Sequence, residues 1–417
     1  MKSLAKIFLA ILATVNVFSF TACSDDDFTA TIFDATEYPL DRSSYTFPLD
    51  TFVKVNFLEP YNLKFVYKME DIGSDLDKNL TPISYDKATV MAVMSKYLWF
   101  DVYKEVAGEE FLKEFSPRII HLIGSGNFNP TSGTEELGTA EGGIKITLYK
   151  GNTIDASDID YMNHYFFKTM HHEFSHIMHQ NRVIPTAFNT ISRSLYNPID
   201  WQNSADSIVA GQGFVSPYAS SQAREDWVEV IALYITLNEQ KWNALINSAA
   251  YDWETVDYNI KDFNLAVDTL ALRDTLGYTI QTYEGAAPKI GSYEGGKPKT
   301  YKIQRKVVQR NADGSAVIGE DGKPIFLDAN GIDGQAIILQ KLQMAREWLK
   351  TNFNIDLDQL RREVQIRQYQ TNPDGSFKFD AYGRYMSHFM QPDANDPSRT
   401  FLDTLLDEVN KYKELQK

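Results

Sequence analysis

The chain has 417 residues, of which 43% are hydrophobic and 13% aromatic, as expected of a globular protein with one large core or two smaller ones. Its formal charge of −15 argues against a nucleic-acid partner, because binding phosphates requires a basic surface. The negative charge does not identify a substrate, since an acidic surface more often serves solubility than recognition.

The first 23 residues have the pattern of a lipoprotein signal peptide. Two lysines precede an apolar run over residues 7–20, which is too short to span a bilayer comfortably. The run ends in F-T-A-C, which resembles a lipobox, so we expect Cys23 to carry a lipid; the alternative is an ordinary cleaved signal. Cys23 is the only cysteine, which excludes an intramolecular disulfide. The run Ser24-Asp25-Asp26-Asp27 that follows is acidic and resembles a surface-export signal, which predicts an outer-membrane lipoprotein facing the cell exterior.

The segments after the anchor predict a tether followed by a mixed core. Residues 24–50 are polar and lack periodicity, as a tether does, and 51–284 would form the catalytic core. Strands are predicted over 52–57, 63–67 and 118–123, and a helix over 85–106 with Gly108 as its stop. The alternating segment Gly142–Tyr149 is either a sheet edge that accepts an extended peptide or a solvent-facing strand.

The second half of the chain is predicted to be mostly helical. Helical runs cover 225–239, about 335–352 and about 356–370, with Ser220 or Ser221 as the cap of the first and Asp356 as that of the third. Residues 285–334 would form a hairpin-rich insertion, because the turn dipeptide Asp-Gly occurs at 313–314, 321–322 and 333–334. A helical portion over 335–417 completes an α+β chain in which no internal repeat is evident.

The strongest chemical signal is the segment from His164 to Gln180, which contains five of the seven histidines. It is predicted to be a helix from about residue 157 to about 181. It includes H-E-x-x-H as His172, Glu173 and His176, whose histidines lie on one face and can bind one metal ion. Glu173 projects about 100° around the axis, beside the metal, where a carboxylate can take a proton from water. The alternative is a helix that carries packed and solvated histidines by chance.

A catalytic zinc usually has three protein ligands, and the sequence offers two candidates for the third. Glu225 and Glu229 are four residues apart and share a helix face, so one can bind zinc while the other accepts a hydrogen bond from a ligand histidine. The plain alternative is an acidic first turn that complements the helix dipole. His179 shares the face of the two histidines but lies about 7.5 Å along the axis from their midpoint, which favours Glu225.

Tyr218, seven residues before Glu225, completes a set that resembles known families. H-E-F-S-H followed by Tyr218, Glu225 and Glu229 is similar to the zinc protease domain of the lethal-factor type. In that type the first glutamate ligates zinc, the second supports a histidine, and the tyrosine assists the transition state. Cysteine is committed to the anchor, which excludes a deformylase-like site, and no metzincin continuation follows the motif.

The whole chain resembles the substrate import-associated zinc metallohydrolase lipoproteins of outer-membrane nutrient-uptake systems. Five features occur in the expected order: the lipobox, the acidic export run, the G-G-I-K-I-T-L-Y strand, the H-H-E-F-S-H helix and the E-D-W-V-E helix. Residues 285–334 match less clearly. The resemblance implies a zincin-like domain, with a small mixed sheet and an active-site helix, and a mostly helical C-terminal portion carrying a β-hairpin insertion. It also implies Zn²⁺, a peptide or protein substrate and an importer complex as partner.

We therefore expect a surface-anchored zinc metallopeptidase, although hydrolysis of another bond is not excluded. The competing hypothesis is a surface lipoprotein that retains the fold without turnover and presents captured glycan or peptide to an importer. The expected roles are zinc ligation by His172, His176 and Glu225, general-base catalysis by Glu173, oxyanion stabilisation by Tyr218, and orientation of a histidine by Glu229.

Overall fold

The computed structural model describes residues 40–69, 80–128, 135–136, 138–141, 145–260, 279–280, 290–326 and 331–416. The described residues from Pro48 onward form one compact unit. The predicted signal peptide, including Cys23, lies outside the described residues. Within the described ranges, no helix combines the length and the apolar character needed to cross a membrane.

Helices dominate the described part of the chain. In chain order they are α1 Phe47–Val53, α2 Glu59–Tyr61, α3 Tyr85–Ser95, α4 Asp101–Ala107, α5 Glu109–Phe115, α6 Ile159–Met162, α7 Lys168–Asn181, α8 Phe188–Ile191, α9 Asp206–Gly211, α10 Ala223–Thr236, α11 Glu239–Ser248, α12 Gly334–Phe353, α13 Leu357–Gln368 and α14 Phe401–Asn410. Three π-helical segments join neighbouring helices, at Lys54–Leu58, Lys96–Phe100 and Asn163–Phe167. Short 3₁₀ turns lie at Gly151–Thr153, Trp201–Asn203, Tyr218–Ser221, His388–Met390 and Lys411–Gln416.

The strands form two four-stranded sheets and one pair. They are β1 Lys64–Val66, β2 Ile119–Leu122, β3 Asn127–Phe128, β4 Glu135–Glu136, β5 Gly138–Glu141, β6 Lys145–Leu148, β7 Trp253–Asn259, β8 Thr279–Ile280, β9 Ile290–Glu294 and β10 Lys297–Lys306. The first sheet has the order β1-β2-β6-β5, in which β1, β2 and β6 are parallel and β5 is antiparallel to β6. In the second, β10 pairs with β7, β8 and β9, while β3 pairs with β4.

Two strand predictions are corrected by this topology. Residues 52–57 are helical rather than extended, and Phe52 and Phe57 are both buried with ring centroids 6.1 Å apart. In a strand, residues an odd number apart face opposite sides, whereas a helix with a π-helical turn directs both rings to the core. Helix α1 also begins inside the segment predicted as a tether.

The strand over Lys145–Leu148 is neither a sheet edge nor solvent-facing. It lies between β2 and β5, and Ile146, Thr147 and Leu148 are all buried. The sequence analysis did not predict β5. Among the described strands, β5 ends the sheet next to β6, and helix α7 lies beside both.

The histidine-rich helix packs against aromatic side chains on the face opposite to the histidine pair. Its first part, α6, starts at Ile159. The Asp158 side chain caps this start by accepting a hydrogen bond from the Tyr161 N–H, so the cap lies one residue after the predicted start near residue 157. After the π-helical segment, α7 runs to Asn181 as predicted. The buried ring of Phe174 packs edge-on against Trp99 and Tyr103, with centroids 4.7 and 5.0 Å away. These contacts fix the face of α7 that points away from the histidine pair.

Helix α10 is buried along most of its length and faces α7. The residue before it is Gln222, not the predicted Ser220 or Ser221, and no side chain caps its start. Both serines lie in the preceding 3₁₀ turn, where the Ser220 hydroxyl donates to the Pro217 carbonyl at 2.6 Å. One buried ion pair ties α10 to the C-terminal helices: Lys341 Nζ of α12 lies 2.7 Å from Asp226 Oδ2, and neither side chain is exposed.

Helices α12 and α13 confirm two predicted elements and correct one predicted turn. Asp356 caps α13, as expected, by accepting from the Gln359 N–H. Asp333-Gly334 is not a hairpin turn, because Asp333 accepts from the Ala336 N–H and starts α12. A Cβ on Gly334 would stand 2.3 Å from the Ala210 carbonyl oxygen, so a glycine is required there for the close approach of α9.

Two segments, 308–326 and 369–387, share one backbone pattern that the sequence analysis did not detect, and we call them the double-turn modules. Every β-bridge of the first has a counterpart in the second at a constant spacing along the chain. Each contains N-x-D-G-S three residues after its start. In this motif the aspartate accepts from the serine two residues later, and Gly314 and Gly375 both have a φ of 84°. The chain therefore contains an internal structural repeat.

Candidate metal centre

The two histidines of H-E-x-x-H lie on the face of α7 that meets α10, and both direct their Nε2 atom towards Glu225. Both are close to a carboxylate oxygen of Glu225 in the first turn of α10: Glu225 Oε2 is 3.2 Å from His172 Nε2 and 3.1 Å from His176 Nε2. The structure thus brings together three residues that the sequence analysis assigned to zinc from positions about fifty residues apart. The second oxygen of Glu225 is 3.4 Å from the Gln222 amide nitrogen.

These separations fit a zinc ion. Ligands at about 2.0–2.1 Å in a tetrahedron lie roughly 3.3–3.4 Å from one another, slightly more than the observed distances. The donor set of two imidazole nitrogens and one carboxylate oxygen is that of a catalytic zinc site with one open position. Ligand atoms of His172, Glu173 and His176 also lie within 4.8 Å of one another. We favour Glu225 over Glu173 as the third ligand because a single Glu225 oxygen is in close contact with both histidines.

The carboxylate of Glu229 holds His172 from the side opposite to Glu225. His172 Nδ1 lies 2.7 Å from Glu229 Oε1, and the carboxylate is fully buried. The same oxygen is 2.6 Å from Lys168 Nζ, and the Ser216 hydroxyl donates to Oε2 at 2.6 Å. The sequence analysis missed Lys168 and Ser216. Lys168 precedes His172 by one helical turn, a spacing that marks a shared face and could have identified it.

His179 does not lie beside the converging nitrogens. Its Nε2 is 2.8 Å from His176 Nδ1, so it contacts the ring nitrogen that points away from Glu225. Its alternative role as a ligand of the same metal would require a different position of its ring. Burial, the largest of several causes, lowers the pKa of His179 to about 4.

Tyr218 lies beside the centre, in contact with two aromatic rings. Its ring stacks on His172 with centroids 5.7 Å apart, and Trp201 meets it edge-on at 4.9 Å. Burial and the neighbouring Glu225 carboxylate, to which its hydroxyl donates, raise the pKa of Tyr218. The hydroxyl therefore stays protonated and can act as a donor. Trp201 was not identified from the sequence, because nothing in its local pattern distinguishes it from a packed tryptophan.

The electrostatics of the centre separate the three glutamates. Burial raises the pKa of Glu173, as expected for a carboxylate that acts as a base. Burial would also raise the pKa of Glu225, but hydrogen bonds with both histidines outweigh it and lower that pKa. Burial opposes protonation of His172, yet its bonds to Glu225 and Glu229 raise its pKa to about 9.

Other histidines of the segment have different surroundings. His171 is buried, its Nδ1 lies 3.0 Å from the Tyr103 hydroxyl, and burial lowers its pKa to about 3. His164 lies in the π-helical segment, where its ring meets Tyr165 edge-on. Neither belongs to the candidate metal-binding group found among the described residues, whose histidines are His172 and His176.

Comparisons with known proteins agree with this arrangement. The family model described as "Putative zinc-binding metallo-peptidase" matches residues 43–358. A crystal structure of a protein described in the same words, from Bacteroides caccae, is 31% identical, with a TM-score of 0.51, and the match covers 76% of this chain and 90% of that chain. A search of curated proteins gave no significant match. The predicted α+β class and family are thereby confirmed, and the chain belongs to this family of zinc-binding metallo-peptidases.

Proposed function

We propose that the protein is a zinc-dependent metallopeptidase that hydrolyses peptide bonds by direct attack of water. The observation that carries this proposal is the convergence of three ligand atoms, from His172, His176 and Glu225, with Glu173 beside them. Zinc, when bound by these residues, supplies a Lewis acid that activates water and polarises the carbonyl of the scissile bond. The remaining chemistry belongs to the side chains around it.

Glu173 would act as the general base and then as the proton donor. Its buried carboxylate lies within 4.8 Å of the ligand nitrogens of His172 and His176, beside the ligand set, where it can accept a proton from the attacking water. After the attack it would pass the proton to the leaving amine nitrogen, which makes that amine a better leaving group. General-base catalysis of this kind contributes about 10²–10⁴-fold to the rate.

Tyr218 would stabilise the oxyanion of the tetrahedral intermediate. Its protonated hydroxyl lies at the Glu225 side of the centre, and its ring is held between His172 and Trp201. A donor fixed before the reaction costs little reorganisation when negative charge develops on the carbonyl oxygen. Glu229 would orient His172 by accepting the hydrogen bond from its Nδ1.

The experiment that tests the function combines metal analysis with digestion of a mixed peptide library. We expect about one zinc per chain and cleavage that a chelator abolishes. Glu173→Gln should retain zinc but lose about 10²–10⁴-fold in activity, because an amide cannot accept the proton from water. Glu110→Gln, on the exposed side of α5, is the matched control and should behave as wild type.

The same data distinguish the peptidase from the competing hypothesis of a non-catalytic binding lipoprotein. Zinc that binds without any cleavage, together with retention of a peptide or glycan, would replace the peptidase by a non-catalytic surface protein. Near-normal activity of Glu173→Gln would reject the mechanism while leaving the metal centre in place.

We further propose that the protein is anchored to the outer membrane by lipid on Cys23, faces outward and works with a nutrient importer. The lipobox and the acidic run after it support this location. Cys23→Ala should release the protein from the membrane fraction, and protease treatment of intact cells should remove the wild-type domain. Membrane retention of Cys23→Ala would reject the anchor, and full protection from protease would reject the outward orientation. Co-purification of the anchored protein with an outer-membrane importer would test the partnership, and its absence would argue against it.

A further inference from the structure

We propose that His179 is a positioning residue that holds His176 in the orientation and tautomer needed for metal binding. This inference rests on the proposed zinc centre, because it assigns a role to a residue behind one of the ligands. The two rings are three residues apart on α7, and His176 Nδ1 lies 2.8 Å from His179 Nε2. Their centroids are 5.1 Å apart at an interplanar angle of 69°.

The direction of this hydrogen bond follows from the two nitrogens of His176. Its Nε2 faces Glu225 Oε2 at 3.1 Å, so this is the nitrogen that would donate its lone pair to a metal. A neutral imidazole has one N–H, which must then be on Nδ1. Nδ1–H donates to the only acceptor within reach in the contacts described for it, Nε2 of His179. The arrangement therefore fixes which nitrogen is free for the metal.

The two ligand histidines are thus held by different kinds of acceptor. His172 is held by the Glu229 carboxylate, which also forms an ion pair with Lys168. His176 is held by the uncharged imidazole of His179. Glu173, Glu225 and Glu229 already bring three carboxylates to the centre. A fourth behind His176 would add like-charge repulsion, and a histidine supplies the acceptor without it.

The contact also explains why a histidine on the ligand face need not be a ligand. Spacing alone places His179 on the same side of the helix as His172 and His176. Because its Nε2 is directed to the rear nitrogen of His176, it acts on the metal only through that ring. Removal of such an outer hydrogen-bond partner typically weakens metal binding by about 10–100-fold, less than removal of a ligand.

Zinc affinity of the full chain, measured by competition with a chelator, tests this role. His179→Phe keeps the ring size but has no acceptor, and we expect it to weaken zinc binding by about 10–100-fold. His179→Gln retains an amide oxygen that can accept and should recover much of the affinity. His176→Ala is the ligand-loss reference and should bind far more weakly than either variant. Circular dichroism of each protein checks that the fold is retained.

Two results would overturn the inference in different ways. Wild-type affinity in His179→Phe would show that the ring does not support His176. A loss as large as that of His176→Ala, with an altered absorption spectrum of the Co²⁺-substituted protein, would make His179 a ligand. If the wild-type protein itself binds no zinc, the proposed function fails and this inference fails with it.

A second measurement needs no substitution. In wild-type protein labelled with ¹⁵N-histidine and loaded with zinc, a hydrogen bond between two nitrogens gives a ¹⁵N–¹⁵N coupling across it. We expect this coupling between His176 Nδ1 and His179 Nε2. Its absence would reject the contact even if a variant of His179 fails to fold.

Discussion

The metal centre is assembled from helices that are distant in sequence, whereas each double-turn module is closed within one short segment. Glu225 and Glu229 meet the histidines of α7 across 49 and 57 residues of chain. In the modules, by contrast, an aspartate accepts from a serine two residues away, and a glycine with positive φ completes the turn. Tertiary packing therefore determines the first geometry, and local backbone chemistry determines the second.

The two modules also differ from each other in what surrounds the same backbone. In the second, Tyr369 is buried and its ring centroid lies 4.7 Å from that of Tyr385. The corresponding residues of the first are Val308 and Pro324, and neither is buried. The turn residues are thus sufficient to specify the path of the chain, and the core of a module can vary. The metal centre depends on tertiary packing, whereas the modules depend on local backbone chemistry. Substitutions in the centre and in the modules should therefore have separable effects on zinc binding and stability.

The largest effect should come from Glu225→Ala. We expect zinc affinity to fall by more than about 1,000-fold, since one of three ligands is lost, while the fold is retained. Chelator competition and thermal unfolding measure the two effects. Glu239→Ala, in the exposed first turn of α11, is the matched control and should bind zinc normally. Normal zinc binding by Glu225→Ala would contradict the ligand assignment.

A smaller effect is expected from Lys168→Met, which tests the support behind His172. The substitution leaves the buried Glu229 carboxylate without its lysine, so His172 is held less firmly, and zinc affinity should fall by about 10–100-fold. Lys168→Arg should be milder because it preserves the charge. Lys241→Met breaks an exposed 2.9 Å ion pair with Asp160 and is the control for loss of a lysine ion pair away from the centre. Equal losses in Lys168→Met and Lys241→Met would indicate general destabilisation instead of support of the ligand.

The smallest effect should come from the modules, through Gly375→Ala and Gly314→Ala. Both glycines have a φ of 84°, and an added Cβ would meet no atom within 4 Å, so only backbone strain opposes the change. We expect a loss of about 1–2 kcal/mol in the free energy of unfolding for each and no change in zinc affinity. Denaturant titration and zinc competition measure these quantities. Weaker zinc binding in either variant would break the separation between the two regions.

The same contrast explains what could be predicted from the sequence. His172, Glu173 and His176 form a local motif, and the strong helical run of α10 placed Glu225 one turn before Glu229. The turns at Asp313-Gly314 and Asp321-Gly322 were predicted because their dipeptides have defined backbone preferences. Each of these features depends on residues within a few positions of one another.

Apart from the approach of Glu225 and Glu229 to the histidines, the features that depend on long-range packing were not predicted. Ser216 and Trp201 join the centre only because the turns that carry them fold over α7. The sequence pattern of residues 52–57 predicts a strand, because it does not show that Phe52 and Phe57 are buried on the same side. The internal repeat was missed because the modules share backbone bonds and only a few turn residues, so most of their letters differ.

The buried pair of Asp226 and Lys341 determines how much of the chain must be made together. Asp226 directly follows Glu225, and its countercharge comes from α12, beyond the segment predicted as the catalytic core. A polypeptide that stops at residue 284 would lack α12, so Asp226 would lose both its cation and part of the packing that buries it next to Glu225. We therefore expect residues 51–284 to require the C-terminal helices for a stable first turn of α10, so that the two parts of the chain would be inherited together.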